Sequence, residues 1–231
     1  GWAEYIRVPA EWVIPMPAGM TAEESMRYGT AGFTAALSVA RLREHEVFPE
    51  SGEVVVTGAT GGVGSIAVKM LAKLGYNVAA VTGKKDRHAW LRELGAKSII
   101  ERSEVDIVGG NPLLTARWTG AVDTVGGNTL ATLLRTTKIG GCVTACGLVG
   151  GADLSLTVYP FILRGVALAG IDTAWYPRNK RLDIWKHIET DWRVPGLDAI
   201  SKTIGLAEVD PHVREILAGR IAGRTVVRIS E

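Results

Sequence analysis

Hydrophobic residues along this chain of 231 residues fall into short blocks of two kinds. Runs rich in β-branched residues predict strands, and longer segments with apolar residues three and four positions apart predict helices. The predicted strands are "EVVVT", "NVAAVT", "KSII", "GAVDTV", "GCVTACGL" and "VALAGI", and the predicted helices between them are "GSIAVKMLAKLG", "DRHAWLRELG" and "NTLATLLRTTKIG". Six strands joined by crossovers predict an α/β fold with a doubly wound parallel sheet.

The segments on either side of this alternation have a different pattern. Near the start, "AEYIRVP" is expected to be a strand that closes a domain, and a polar, proline-rich bridge, "AEWVIPMPAGMTAEES", follows it. Beyond the sixth strand, "TAWYPRNKRLDIWKHIETDW" predicts a loop and an amphipathic helix. The last segment, "VDPHVREILAGRIAGRTVVRI", predicts one more helix and a final strand.

Composition and charge indicate a globular protein without a polyanionic partner. Hydrophobic residues make up 47% of the chain and charged residues 22%. The net charge of +2 is spread along the sequence, so no nucleic-acid partner is expected. No stretch of about 18 apolar residues could cross a bilayer, and the start lacks the order of a signal peptide. We therefore expect a cytoplasmic protein without a membrane partner.

Disulfide and metal chemistry are not expected. The two cysteines, Cys142 and Cys146, fall on one predicted strand. Four residues of strand separate them by roughly 13 Å, which is too far for a disulfide. The four histidines are scattered singly along the chain, so no zinc ligand set is predicted.

The segment at residues 54–68, "VVVTGATGGVGSIAV", passes from a predicted strand through a glycine-rich turn into a predicted helix. Glycines let backbone amides approach a ligand, and a helix N-terminus behind them favours a pyrophosphate. The usual G-x-G-x-x-G is not intact, because Ala59 takes the first place of the frame ending at Gly64. Its position in the first strand-turn-helix unit still favours a nicotinamide dinucleotide, and the missing Gly-Lys-Ser/Thr excludes a P-loop. The alternative is a tight turn in a packed sheet.

The end of the second predicted strand indicates which dinucleotide is bound. An NAD enzyme usually presents an acidic residue to the ribose 2′-hydroxyl at this point. Here Thr82 and Gly83 take that place, and Lys84 and two further cations follow. A hydroxyl and cations would accommodate a 2′-phosphate, so NADP(H) is the expected cofactor. The alternative is that the lysines only begin a solvated helix.

Several segments together resemble zinc-free medium-chain dehydrogenase/reductases of the quinone-oxidoreductase type, and among these the NADPH-dependent acrylyl-CoA reductases. They are "GWAEY", "GTAGFTA", "VVVTGATGGVGS", "AVDTVGG", "GGCVTACGLVGG", "PFILRGVALAGID" and "GRTVVRI". The resemblance implies a six-stranded Rossmann sheet plus remnants of a GroES-like β-rich catalytic domain. It implies the end of that domain and a bridge at 1–27, an NADP-binding Rossmann domain at 28–171, and a return to the catalytic domain at 172–231. The first part of the GroES-like domain is expected to be missing, so no catalytic residue is predicted.

The resemblance also implies a set of cofactor contacts. At the pyrophosphate they are Gly61, Gly62 and Val63; at the 2′-phosphate, Thr82, Gly83 and Lys84; and near the adenosine end, Arg102. At the nicotinamide they are Thr34 and the backbone of Cys146, Gly147 and Leu148, with Arg224 closing over the cofactor. Alternatively, Thr34 could be a helix-interior hydroxyl bonded to its own backbone, and Arg224 a surface cation.

The implied reaction is the reduction of acrylyl-CoA to propionyl-CoA, with a quinone reductase as the alternative within the family. Arg178, Lys180 and Arg181 follow the sixth strand and could attract the phosphates of coenzyme A, or could simply begin a solvated helix. The sixth strand is apolar and is expected to lie at the edge of the sheet. We therefore expect a homodimer formed by joining two such edges.

Two other classes of protein compete with this interpretation. A short-chain dehydrogenase would use Tyr176 and Lys180 as its Y-x-x-x-K pair, but Pro177 is tolerated only at a helix start. An NADPH-binding sensor or scaffold without catalysis is the non-enzymatic alternative, because the fold does not determine function.

Overall fold

The computed structural model describes residues 2–229. The helices are α1 (Ala22–Glu44), α2 (Gly62–Lys73), α3 (His88–Glu93), α4 (Gly127–Thr136), α5 (Tyr159–Arg164), α6 (Arg178–Glu189) and α7 (Val209–Leu217). The strands are β1 (Glu53–Val56), β2 (Asn77–Val81), β3 (Ser98–Ile100), β4 (Trp118–Asp123), β5 (Thr137–Ala145), β6 (Ala167–Gly170), β7 (Ser201–Gly205) and β8 (Arg224–Arg228). Within the described residues no helix is long and apolar enough to span a membrane.

Strands β1 to β6 form one parallel sheet in the order β3-β2-β1-β4-β5-β6. The chain starts in the middle at β1, extends to β3 and then crosses back to β4, so the strand order reverses between β1 and β4. Open sheets of this kind bind ligands at that reversal, outside the carboxyl ends of the strands. The predicted doubly wound Rossmann sheet is confirmed, and β6 lies at its edge as predicted.

Helices cover both faces of the sheet because its central strands carry apolar side chains on both sides. Val54 and Val56 of β1 pack with α1 and α2, whereas Val55 packs on the opposite face with α4. Burial on both faces is the reason that these strands are nearly continuous hydrophobic runs. The carboxyl ends of β1, β4 and β5 are thereby held rigidly at one edge of the sheet.

The C-terminal part forms a small unit beside α1 and α3. Strands β7 and β8 pair in parallel, and α7 connects them. The indole N–H of Trp90, on α3, donates to the carbonyl of Ala199 at 3.2 Å. The amide of Gly223 donates to the carbonyl of Thr60 at 2.9 Å, so the segment before β8 lies over the glycine turn.

Several sequence-based assignments differ from the structure. The strand expected in "AEYIRVP" is wrong: within residues 2–229 no strand runs beside this segment, and an unpaired strand leaves its backbone groups without partners. The expected bridge ends earlier than predicted, because α1 starts at Ala22 with Thr21 as its N-cap. The predicted third helix is too long, since Thr137 already pairs with Trp118 in the sheet. The predicted fifth strand is too long at its end, since β5 stops at Ala145 and Cys146 follows it. Strand β7 and helices α1 and α5 were not predicted.

Candidate functional site

The glycine turn between β1 and α2 brings the start of the helix against the end of the strand. A Cβ at Gly64 would lie 2.4 Å from the carbonyl oxygen of Gly58, so only glycine permits this approach. Gly61 is the N-cap of α2, where no side chain caps the helix, and the first turn holds no acidic residue. The positive end of the helix dipole is therefore left for an anion. Gly61, Gly62 and Val63, the residues predicted at the pyrophosphate, form this uncapped start of α2.

A buried carboxylate that the sequence analysis missed fixes the geometry of this turn. Asp123, at the end of β4, accepts hydrogen bonds from the Thr57 hydroxyl at 2.6 Å and the Gly126 amide at 2.8 Å. Thr124 completes the link, because its amide donates to the Thr57 hydroxyl oxygen and its own hydroxyl donates to the Thr57 carbonyl. Burial raises the pKa of Asp123, and the bonds from Thr57, Gly126 and Val125 oppose that rise. The network joins the loops after β1 and β4 at the strand-order reversal.

The residues predicted at the 2′-phosphate come together at the end of β2. The Thr82 hydroxyl accepts a hydrogen bond from the Lys84 amide at 3.0 Å, which shapes a tight turn. A Cβ at Gly83 would lie 3.0 Å from Nε of Arg102, so Arg102 crosses this turn from the end of β3. The Lys84 ammonium donates to the carbonyl of Ile221 at 2.7 Å. Burial, and then the charge of Arg87, lower the pKa of Lys84.

Arg224 lies across the start of α2. Its Cδ would be 3.2 Å from a Cβ at Gly62, and its Nη2 would be 2.7 Å from a Cβ at Gly29. Gly29 interrupts α1 with φ of 48°, a conformation that favours glycine and makes room for the guanidinium. The Nε group donates to the carbonyl of Arg27 at 3.1 Å, and burial lowers the pKa of Arg224. A half-buried cation therefore faces the same helix end as the predicted pyrophosphate.

The residues predicted at the nicotinamide differ from one another in their hydrogen bonds and in their exposure. The Thr34 hydroxyl donates to the carbonyl of Thr30 at 2.7 Å, which is the helix-interior bond considered as the alternative for this residue. The amide of Cys146 donates to the carbonyl of Asp123 at 3.0 Å, so the loop after β5 is tied to the end of β4. Burial raises the pKa of Cys146 to about 12, so its thiol is neutral at physiological pH. Gly147 packs against the Thr124 backbone, and Leu148 is exposed.

The three cations predicted at the substrate do not share one environment. The Arg181 guanidinium lies 4.7 Å from the centre of the Phe33 ring and donates to the carbonyl of Thr173. Arg178 is exposed at the start of α6, with Nη2 3.5 Å from the carbonyl of Val13. Lys180 is exposed. Pro177 is the N-cap of α6, so Tyr176 lies outside the helix and cannot share a helical face with Lys180.

No metal centre forms among residues 2–229, because these residues bring no three His, Cys, Asp or Glu side chains together. Cys142 and Cys146 are both free thiols. A zinc ion would therefore find no ligand set in the described part of the chain, and no chemical step is assigned to zinc.

The chain is similar in sequence and in structure to several known proteins. The family described as "Zinc-binding dehydrogenase" matches residues 62–186. The acrylyl-CoA reductase AcuI of Ruegeria pomeroyi is 44% identical over 230 residues, which cover 100% of this chain and 70% of that protein. YhfP of Bacillus subtilis, a proposed quinone oxidoreductase, is 45% identical over 99% of this chain and 70% of its own length. A crystal structure of YhfP has NAD bound and gives a TM-score of 0.93, with 46% identity over 96% of this chain and 68% of that one.

A crystal structure of the yhdH oxidoreductase from Salmonella enterica, in complex with NADP, is also very similar. It gives a TM-score of 0.96 with 44% identity, over 100% of this chain and 70% of that chain. Both sequence and fold therefore match the same group of proteins along the whole of this chain.

Proposed function

Because this chain belongs to the zinc-binding dehydrogenase family, we propose that it reduces the activated carbon–carbon double bond of acrylyl-CoA with NADPH to give propionyl-CoA. The chain is an oxidoreductase. Its cofactor is NADP(H), which the Salmonella enterica relative has bound, although YhfP was crystallised with NAD.

Cations at two separate phosphate positions support NADPH as the reductant in this proposal. Arg224 lies over the uncapped start of α2, and Lys84 and Arg102 meet at the end of β2. One position suits the pyrophosphate and the other suits a 2′-phosphate, which NAD lacks. Gly61, Gly62 and Val63 supply backbone at the first position, and Thr82 and Gly83 supply it at the second. The close approach at Gly64 holds the start of α2, and so the first position, against the end of β1.

The reducing end of the cofactor lies at the carboxyl ends of β4 and β5 in this proposal. When bound there, the cofactor supplies a hydride to the β-carbon of the unsaturated thioester. The carboxamide of the nicotinamide is positioned by the backbone of Cys146, Gly147 and Leu148 and by the helix turn at Thr34. Asp123 holds the surrounding loops but is fully bonded and buried, so it acts as a positioning residue. Negative charge that develops on the thioester oxygen requires hydrogen-bond donors, and we assign none of the described residues to that role.

Loss of NADPH absorbance with acrylyl-CoA, and with a small quinone in parallel, tests the proposal. We expect turnover with acrylyl-CoA and a higher kcat/KM for it than for the quinone. A higher kcat/KM for the quinone would instead establish the quinone reductase suggested by the likeness to YhfP. Tight NADPH binding with no oxidation by either compound would favour a non-catalytic NADPH-binding protein.

We also propose that two copies of the protein pair through β6. This strand lies at the edge of the sheet, where its outer backbone groups have no strand partner among the described residues. Leu168 on the strand, and Ile162 and Leu163 on the preceding helix, are exposed apolar side chains. An exposed apolar edge strand favours pairing with another chain.

A further inference from the structure

Two neighbouring pockets lie beside the proposed cofactor site and are not used by it. The inner pocket, of about 370 Å³, lies between the N-terminal segment and α1 and is lined by Met16, Met26, Thr30, Phe33 and Trp185 among others. The outer pocket, of about 570 Å³, is lined by Trp12, Trp175, Tyr176 and Arg178 among others. Ile14, Thr173 and Arg181 line both pockets, so the two lie side by side with Arg181 at their boundary.

The outer pocket combines exposed aromatic rings with arginine. Trp12 is 69% exposed and Trp175 is 84% exposed, although both are large apolar side chains. Hydrogen bonds fix the backbone at Trp175, because the Asp172 carboxylate accepts from the amides of Ala174 and Trp175 at 2.9 and 3.1 Å. The cations at this pocket are Arg178 and Arg181, and its one carboxylate is Glu11. Aromatic faces stack on nucleobases, and guanidinium groups bind phosphates.

The inner pocket has the opposite character. Methionine, proline and aromatic side chains dominate its lining, and Arg181 is its one charged group. The Arg181 guanidinium is fixed against Phe33 and the carbonyl of Thr173, at the boundary with the outer pocket. Thr30, in the pocket wall, accepts the hydrogen bond from Thr34, the residue proposed at the nicotinamide. The uncharged arm of a ligand bound in this pocket would therefore end one helical turn from the proposed reducing end of the cofactor.

We propose that the two pockets form one acyl-CoA site, in which the outer pocket binds the phosphorylated adenosine and the inner pocket binds the pantetheine arm and acyl group. This inference rests on the proposed function and specifies which residues of this chain bind its substrate. A nucleotide joined to an uncharged arm matches the order of the two pockets, whereas a small quinone would use the inner pocket alone. Trp175, Arg178 and Arg181 determine specificity for the nucleotide. Lys180, which lines neither pocket, does not.

Calorimetric titration of the protein saturated with NADP⁺ tests this site without interference from the cofactor position. The probes are propionyl-CoA and adenosine 3′,5′-bisphosphate. We expect Trp175→Ala to weaken both by about tenfold through lost stacking. We expect Arg178→Gln to weaken both by about fivefold, and less at high salt. Lys186→Gln removes an exposed charge from the same helix outside both pockets and should leave both dissociation constants unchanged.

A fourth variant separates the two pockets. Met26→Trp fills the inner pocket and should weaken propionyl-CoA at least tenfold while leaving adenosine 3′,5′-bisphosphate unaffected. Unchanged NADP⁺ affinity and melting temperature show that each variant is folded. The acyl-CoA site is refuted if the wild-type protein binds neither probe, or if Trp175→Ala and Arg178→Gln bind as tightly as wild type. NADPH oxidation is measured separately, so binding without turnover would refute the proposed reaction, and turnover insensitive to these variants would refute only the site.

Discussion

Replacing Gly64 with alanine tests whether the close approach of α2 to β1 holds the pyrophosphate position. The added Cβ would lie 2.4 Å from the carbonyl oxygen of Gly58 and 2.8 Å from Cα of Ala59. Both are backbone atoms of the preceding turn, and real Cβ contacts essentially never fall below 3.0 Å. No rotamer change can relieve the clash, so the start of α2 must move away from the strand.

Two opposing terms set the size of the effect. Overpacking of a tight contact costs about 1–3 kcal/mol. Alanine favours the helix over glycine by at most about 1 kcal/mol, which offsets part of that loss. We expect a net loss of about 1–2 kcal/mol, which lowers the melting temperature by roughly 2–8 °C for a chain of this size. Affinity for NADPH should fall as well, because the helix amides retreat from the pyrophosphate.

Thermal melting with and without NADP⁺ measures both effects, and Gly62→Ala is the matched control. A Cβ at Gly62 would meet Cδ of Arg224 at 3.2 Å, which is the flexible part of a side chain and can yield. Gly62→Ala should therefore melt at or slightly above the wild-type temperature. A Gly64→Ala protein as stable as wild type, or an equal loss in both variants, would refute the argument from close approach.

Three further predictions follow from single contacts. Lys84→Glu should weaken NADPH much more than NADH, because a carboxylate would face the 2′-phosphate; equal losses in fluorescence titrations with the two cofactors would place Lys84 elsewhere. Tyr28→Phe leaves the Val194 amide without the hydroxyl oxygen that accepts its hydrogen bond at 2.6 Å, and should cost about 1–3 kcal/mol of unfolding free energy at neutral pH. Burial raises the pKa of Tyr28 from 10.0 to about 12; the advantage of the wild type in urea unfolding should therefore be complete below pH 10 and shrink as the pH rises towards 12. Leu168→Lys, at the β6 edge, should convert a dimer into monomers in sedimentation velocity, and a monomeric wild type at micromolar concentration would exclude this dimer.

The Rossmann core could be predicted from the sequence because its signals are local. Each strand of the sheet is a short, largely apolar run, and Gly58, Gly61, Gly62 and Gly64 mark a turn whose conformation depends on neighbouring residues. The same local logic could have found α1, since Thr21 and Glu24 provide an N-terminal capping signal at its start. Two glycines within α1 obscured its periodicity.

Contacts between distant parts of the chain could not be predicted from local sequence. Asp123 bonds to Thr57 across 66 residues, and Lys84 reaches Ile221 across 137. Neither pairing has a local pattern, because the sheet order and the path of the C-terminal segment bring these residues together. The same holds for β7, a strand whose polar sequence is extended because β8 lies beside it. Local sequence is sufficient to indicate which residues can form a strand, a turn or a helix. Packing decides which polar groups meet, since a buried donor or acceptor must find its partner wherever the fold places one.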